Sequence, residues 1–164
     1  MKHDITYIPI GVIYSEHKEP GKTPIQPIYA EQCKGRVEVL PEFADGLADL
    51  DTFSHIYLIY HLDRAEEPSM KVNPFLQDVE RGLFSTRAPR RPNAIGMSIV
   101  RLTQVNDNVL EVEGIDILDG TPLLDIKPYT TRFDCIRTDR NGWHDEVNED
   151  DAQTRGLRDF KPNS

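Results

Sequence analysis

The run Gly82-Leu83-Phe84-Ser85-Thr86-Arg87-Ala88-Pro89-Arg90-Arg91-Pro92-Asn93-Ala94-Ile95-Gly96 holds the side chains with the most obvious chemical use. Arg87, Arg90, Arg91 and Arg101 fall between Gly82 and Asn106, and no Asp or Glu falls there with them. The chain has 19 Lys+Arg against 28 Asp+Glu, a formal net charge of −9, so this run reverses the local sign. Guanidinium groups present a fixed fork of donors that suits phosphate or carboxylate. Pro89 and Pro92 stiffen the segment and reduce the entropy lost on binding. The alternative is that these arginines pair with carboxylates of the protein's own surface. Composition alone does not separate the two.

A second run, Leu118-Asp119-Gly120-Thr121-Pro122-Leu123-Leu124-Asp125-Ile126-Lys127-Pro128-Tyr129, reads at minimum as a turn entering a strand. In a sharper reading the Asp119 carboxylate accepts from a ligand hydroxyl or amine, and Gly120 lets the backbone approach that ligand. Asp125 and Lys127 sit two apart on a strand and project from one face, where they can simply pair. His55, Tyr57 and His61 also share a strand face. Six steps of ~3.3 Å separate the two histidines by about 20 Å, so they cannot share a metal, and no metal site is expected.

Several chemistries are excluded by absence. No two glycines are separated by a single residue, which removes the Rossmann nucleotide turn. Walker A, His-Glu-x-x-His and Gly-x-Ser-x-Gly are missing too. Cys33 and Cys135 form no Cys-x-x-Cys, which argues against a disulfide framework or structural zinc and for a reducing cytoplasm. No apolar run approaches the ~18 residues of a membrane span, and Met1-Lys2-His3-Asp4 opens no signal peptide, so a cytoplasmic protein without membrane contact is expected. With a pI near 5.0, nucleic acid would have to be met through a local basic patch.

The elements that must position these residues follow a period of two. Residues 6–14 read as a strand with Ile8, Ile10, Val12 and Tyr14 on one face. Residues 15–32 hold Pro20, Gly21, Pro24 and Pro27 and read as a long loop. Strands are expected at 36–40, 55–62, 95–105, 109–115 and 123–127, with a short one near 70–73. A helical turn fits 41–47, and Asn106-Asp107-Asn108 suits a tight hairpin turn. Short strands between turn signals predict a mainly β fold, a single antiparallel β-barrel with short helical segments and long loops, closure removing exposed edges. The barrel domain is assigned to residues 1–140, and residues 141–164 are expected to be a weakly ordered acidic tail.

Phe84-Ser85-Thr86-Arg87-Ala88-Pro89-Arg90-Arg91-Pro92-Asn93-Ala94-Ile95-Gly96-Met97-Ser98 resembles the F-A-T-R-[SA]-P-x-R-P-N-P-I-G-x-S signature of the TsaA-like (TrmO-type) tRNA methyltransferases, here in single-domain form. The run from Leu118 to Tyr129 resembles that family's second block, and Ile10-Gly11-Val12-Ile13 and Phe53-Ser54-His55 fit as well. The likeness extends over about residues 7–130, in order. It implies a β-barrel, usually dimeric, that binds S-adenosylmethionine and methylates the exocyclic nitrogen of threonylcarbamoyl-adenosine beside the tRNA anticodon.

By the same resemblance, the cofactor contacts would be Pro24, Ile25, Gln26, His61, Leu62, Arg87, Met97, Leu118, Asp119, Gly120 and Thr121. Arg90, Arg91 and Asn93 would meet the tRNA anticodon loop, and Asp125, Lys127 and Tyr129 are the candidates for base or polariser. Ile25 stands where the family usually has Arg, and Ala94 where it has Pro. A homodimer with sites near its interface is expected. The competing readings are a cofactor-dependent barrel acting on another RNA or a small molecule, and a non-enzymatic binding module.

Overall fold

The computed structural model describes residues 4–160. Six strands close into an antiparallel barrel: β1 (Gly11–Ser15), β2 (Lys34–Val39), β3 (His55–His61), β6 (Ile95–Asn106), β7 (Val109–Glu113) and β8 (Thr121–Pro128). Their order around the barrel is β1-β2-β7-β6-β3-β8, with β8 returning to β1. A separate two-stranded ribbon pairs β4 (Lys71–Val72) with β5 (Arg81–Gly82). The barrel expected from period-two patterning is therefore the fold, and every barrel pairing is antiparallel.

Alternation fills the interior. Ile56, Leu58 and Tyr60 of β3, Val37 and Val39 of β2, Val100 and Leu102 of β6, and Leu110 and Val112 of β7 form one buried cluster. β1 differs from its expected reading. It begins only at Gly11, and the face turned inward is Gly11 and Ile13, while Ile8 is 63% exposed. Tyr14, on the other face, lies under the Arg36 guanidinium at 4.7 Å, so an apolar-looking face is satisfied on the outside. The β6–β7 turn places Asp107 at φ 51, as its Asn-Asp-Asn sequence suggests.

Strand direction decides which loops meet. Antiparallel pairing brings the ends of β1, β3 and β7 and the starts of β2, β6 and β8 to one end of the barrel. The connections 16–33, 62–94 and 114–120 all emerge there. The opposite end carries the 3-10 turn Pro41–Leu47, the β6–β7 turn and the start of the C-terminal segment.

That C-terminal segment is structured, in contrast to the weakly ordered tail expected from its acidity. After β8 a short helix, α1 (Thr131–Asp134), and a 3-10 turn at Gly142–Glu146 lead to α2 (Glu149–Leu157). The Asn148 side chain accepts from the amides of Asp150 and Asp151, and Glu149, Asp150 and Asp151 occupy the first turn. That is where acidic side chains favour a helix, so the charge run is a helix start. α2 folds back on the barrel: the Ile25 amide donates to the Gly156 carbonyl at 2.9 Å, and Arg155 makes two 3.0 Å bonds to Asp78.

Candidate active site

The cofactor contacts implied by the resemblance gather at the loop-rich end of the barrel. Arg87 Nη1 donates to the Gln26 side-chain oxygen at 2.6 Å, joining loop 16–33 to the arginine run. His61 is paired with Ile95 across β3 and β6, and the Leu62 amide donates to the Ala94 carbonyl at 2.7 Å. Leu118 to Thr121 form the turn into β8, with Gly120 at φ 79 and its amide donating 2.8 Å to the Ile13 carbonyl. Only a residue at ease in the left-handed region fits that turn.

Asp119 is heavily engaged. It accepts from the Ser15 amide at 3.0 Å and is ion-paired with Lys18. The Lys18 ammonium and the Ser15 amide hold its carboxyl below the usual carboxylate range. Arg64, which sequence reading did not single out, donates to the Asp119 carbonyl at 2.9 Å and to Thr121 Oγ1 at 3.1 Å. It ties the segment after β3 to the turn before β8. Its only sequence signal is an Arg beside Asp63 just past a strand end.

A second unanticipated group lies where β3, β6 and the connection 114–120 meet. Ser98 Oγ donates to Asp116 Oδ1 at 2.6 Å, and since that uses its one hydrogen, Tyr60 donates to Ser98 across 3.0 Å. Burial pushes the Asp116 carboxyl up to about 7, against the Ser98 hydroxyl, its own backbone amide and the Arg87 charge. Burial likewise pushes the Tyr60 hydroxyl out of the physiological range. The signal available was an Asp between Ile115 and Ile117, both fully enclosed.

The arginines do not behave alike. Arg91 Nη1 donates to the carbonyls of Thr86 and Ala88, at 3.0 and 3.3 Å, and its guanidinium lies 5.7 Å from the ring centre of Phe84. Arg90 donates to the Glu67 carbonyl at 2.9 Å and stands 3.6 Å from the exposed Glu66 carboxylate. Much of their donor capacity thus shapes the loop, chiefly through backbone carbonyls rather than surface carboxylates. Asn93 is exposed beside them.

Asp125 and Lys127 pair at 2.8 Å on the outer wall of β8, as their spacing allows. Asp125 lies opposite Ile59, which in turn lies opposite Met97. Tyr129 lies at the far end, where its amide donates to the His55 carbonyl and its ring packs 5.8 Å from Tyr57. The length of β3 separates it from His61, roughly 20 Å of strand. Two surface hollows, beside Pro41 and Asn108 and beside Leu47 and Pro128, lie away from the gathered residues.

Comparison with known proteins places residues 12–135 in register with the family described as the tRNA-methyltransferase O N-terminal domain. A probable S-adenosyl-L-methionine-binding protein of Pyrococcus abyssi is 52% identical over 139 residues, covering 85% of this chain and 76% of that one. A human tRNA (adenine(37)-N6)-methyltransferase is 36% identical over 133 residues, 77% of this chain and 30% of that protein. A crystal structure of TrmO from Pseudomonas aeruginosa superposes with a TM-score of 0.71 at 39% identity, over 87% of this chain and 62% of that one. The chain therefore spans under two thirds of that solved relative.

Proposed function

This chain belongs to the tRNA-methyltransferase O N-terminal-domain family, and we propose that it is an S-adenosylmethionine-dependent enzyme methylating the exocyclic nitrogen of a modified adenosine next to the tRNA anticodon. The observation that carries this reading is the convergence of Gln26, His61, Arg87 and the Leu118–Thr121 turn at one barrel end from three separate connections. Relatives named as S-adenosyl-L-methionine-binding and as tRNA (adenine(37)-N6)-methyltransferase supply the chemistry.

The donor set suits the cofactor. It needs a cation for its carboxylate, anionic or carbonyl acceptors for its ammonium and ribose hydroxyls, and apolar contact for adenine. Arg87 supplies the first, Asp119 and the nearby carbonyls the second, and Pro24, Ile25, Leu62, Met97 and Leu118 the third. When bound, S-adenosylmethionine supplies an activated methyl on a sulfonium, so the protein's main task is alignment. Gln26 and Gly120 would hold the donor through side chain and backbone.

For the acceptor, Phe84 is 74% exposed with Arg91 behind its ring, a platform on which an unpaired base can stack. Arg90, Arg91 and Asn93 suit the phosphates and the carboxylate of a threonylcarbamoyl group. Asp125, paired with Lys127 at 2.8 Å, is the base candidate nearer the site. Tyr129 acts only if a second copy presents it. Ile95 and Met97 are 39% and 46% exposed on the wall beside Asp125, which fits a homodimer packed through that face.

Incubating the protein with methyl-labelled cofactor and total tRNA, then analysing nucleosides by mass spectrometry, tests the assignment. Label on a threonylcarbamoyl-adenosine supports it; label confined to another nucleoside or a small molecule moves the acceptor, and cofactor binding without transfer makes the barrel a binding module. Sedimentation equilibrium over a dilution series tests the dimer, and a fully active monomer would sink that part.

A further inference from the structure

Asp116 belongs to neither motif run's assigned contacts, yet it lies on the same connection as the Leu118–Thr121 turn. It accepts from Ser98 at the start of β6, and Ser98 accepts from Tyr60 of β3. Arg87, which also binds Gln26, acts on its charge. A carboxylate that only braced the barrel would be best neutralised by a fixed cation. This one is bonded to a neutral hydroxyl, and Arg87, the cation that acts on its charge, is already shared with Gln26. A part-buried carboxylate so placed retains unspent attraction for a positive ligand.

The two forms of the cofactor differ in one charge. S-adenosylmethionine bears a sulfonium, whereas S-adenosylhomocysteine, the product after methyl loss, has a neutral thioether in its place. Resting on the cofactor assignment above, we propose that the Asp116 carboxylate, held by Ser98 and Tyr60, is the group that discriminates the charged cofactor from its spent product. Ionised Asp116 attracts the sulfonium and has no comparable hold on the thioether, so turnover weakens binding at the moment the product must leave. Protonated Asp116 treats the two ligands nearly alike.

The groups facing Asp116 set when this happens. Arg87 comes from the loop before β6, Tyr60 from β3, and Cys33 from the connection into β2, with Glu16 beside Cys33. His17 donates to the carbonyl of neighbouring Ile115 at 2.8 Å. Burial raises the Cys33 thiol to about 12, so it stays neutral. With the Asp116 carboxyl titrating near neutrality, discrimination should grow between pH 6 and pH 8.

Isothermal calorimetry of the full chain with S-adenosylmethionine and with S-adenosylhomocysteine, at pH 6 and pH 8, tests this. The ratio of the two dissociation constants should shift by about tenfold toward the sulfonium in wild type. Asp116→Asn, which keeps shape and an acceptor, should abolish the shift; Ser98→Ala, which removes the bond but leaves the carboxyl, should displace it along the pH axis. A shift that persists in Asp116→Asn would assign it to another group and overturn the proposal. Failure of both ligands to bind wild type would instead overturn the cofactor assignment, and a pH-independent ratio with tight binding would overturn only the role of Asp116.

Discussion

Gly96 lies flat against the Tyr60 ring: a Cβ on Gly96 would come within 2.2 Å of Tyr60 Cε2. The contact is across a residue pair of β3 and β6, at the site end of the barrel. Tyr60 is the donor that reaches Ser98, so the missing side chain at position 96 sets where the Tyr60–Ser98–Asp116 chain lies. Gly96→Ala must push the ring aside, and overpacking of this kind costs about 1–3 kcal/mol. We expect a lower Tm together with weaker cofactor binding. A variant with unchanged Tm and unchanged affinity would show the ring to be free to move without consequence.

The Asp119 turn gives a second test. Asp119→Ala removes the acceptor for the Ser15 amide and the partner of Lys18, and a charge-assisted bond of this type is worth roughly 1.5–3 kcal/mol. Cofactor affinity should drop by about one to two decades. Because Arg64 also braces the turn through the Asp119 carbonyl, the backbone should stay folded. Calorimetry showing wild-type affinity would falsify the assignment of Asp119 to the site.

What the sequence made legible follows from how local each signal is. Alternation in β3 put Ile56, Leu58 and Tyr60 inside, and the closed antiparallel barrel follows from many such strands. In β1 alternation marks the strand but not which face turns inward: Tyr14 of the even face is covered on the outer wall by Arg36, while Gly11 and Ile13 are buried. The grouping of Gln26 with Arg87 came through family resemblance; spacing could not reveal a bond between residues 61 apart in sequence. Asp116 and Arg64 were invisible for the same reason. Each is one ordinary charged residue whose meaning lies in partners from other strands.

The carboxyl of Asp116 should leave a mark on stability. Its pKa in the folded chain is raised to about 7 from 3.8, so the folded state holds a proton that the unfolded state has released. The associated stability is fully present below pH 3.8 and is lost as pH rises through 7. Asp116→Asn has no such titration. Between pH 5 and pH 8 the wild-type Tm should therefore fall relative to the variant, by the equivalent of about 1–3 kcal/mol. Parallel melting curves across that window would mean that the carboxyl ionises without hindrance.

For the arginine run, Arg90 and Arg91 have different standing. Arg91 holds the Thr86 and Ala88 carbonyls, whereas Arg90 has one carbonyl and a loose, exposed Glu66. Each phosphate contact contributes a log–log salt slope of roughly −0.7 to −0.9 to RNA binding. Arg90→Ala should flatten the slope by about one unit and leave cofactor affinity intact. Arg91→Ala should also lower the Tm, since it releases the loop. Equal slopes in wild type and both variants would make the run a structural loop.

The C-terminal helix ties these parts together at a position that composition presents as solvent-facing. Gly156 lies against the Tyr29 ring, where a Cβ would meet Cδ2 and Cε2 at 2.6 Å, and its carbonyl takes the Ile25 amide. Arg158 packs 3.6 Å over Phe75 and also reaches the Pro20 carbonyl, and Trp143 donates to the Ser85 carbonyl at 2.8 Å. The segment thus spans from loop 16–33 to the start of the arginine run, the two pieces joined by Arg87 and Gln26. The position of Ile25 is fixed by this helix backbone. Gly156→Leu should lift α2 from Tyr29 and loosen loop 16–33 while the barrel keeps its hydrogen-bonded core. Hydrogen exchange should then accelerate at Ile25 but not at Leu58 or Val112, and cofactor affinity should fall by about tenfold, the loss of one well-placed contact. Accelerated exchange at Ile25 with unchanged affinity would separate the helix from the site and leave it a surface brace.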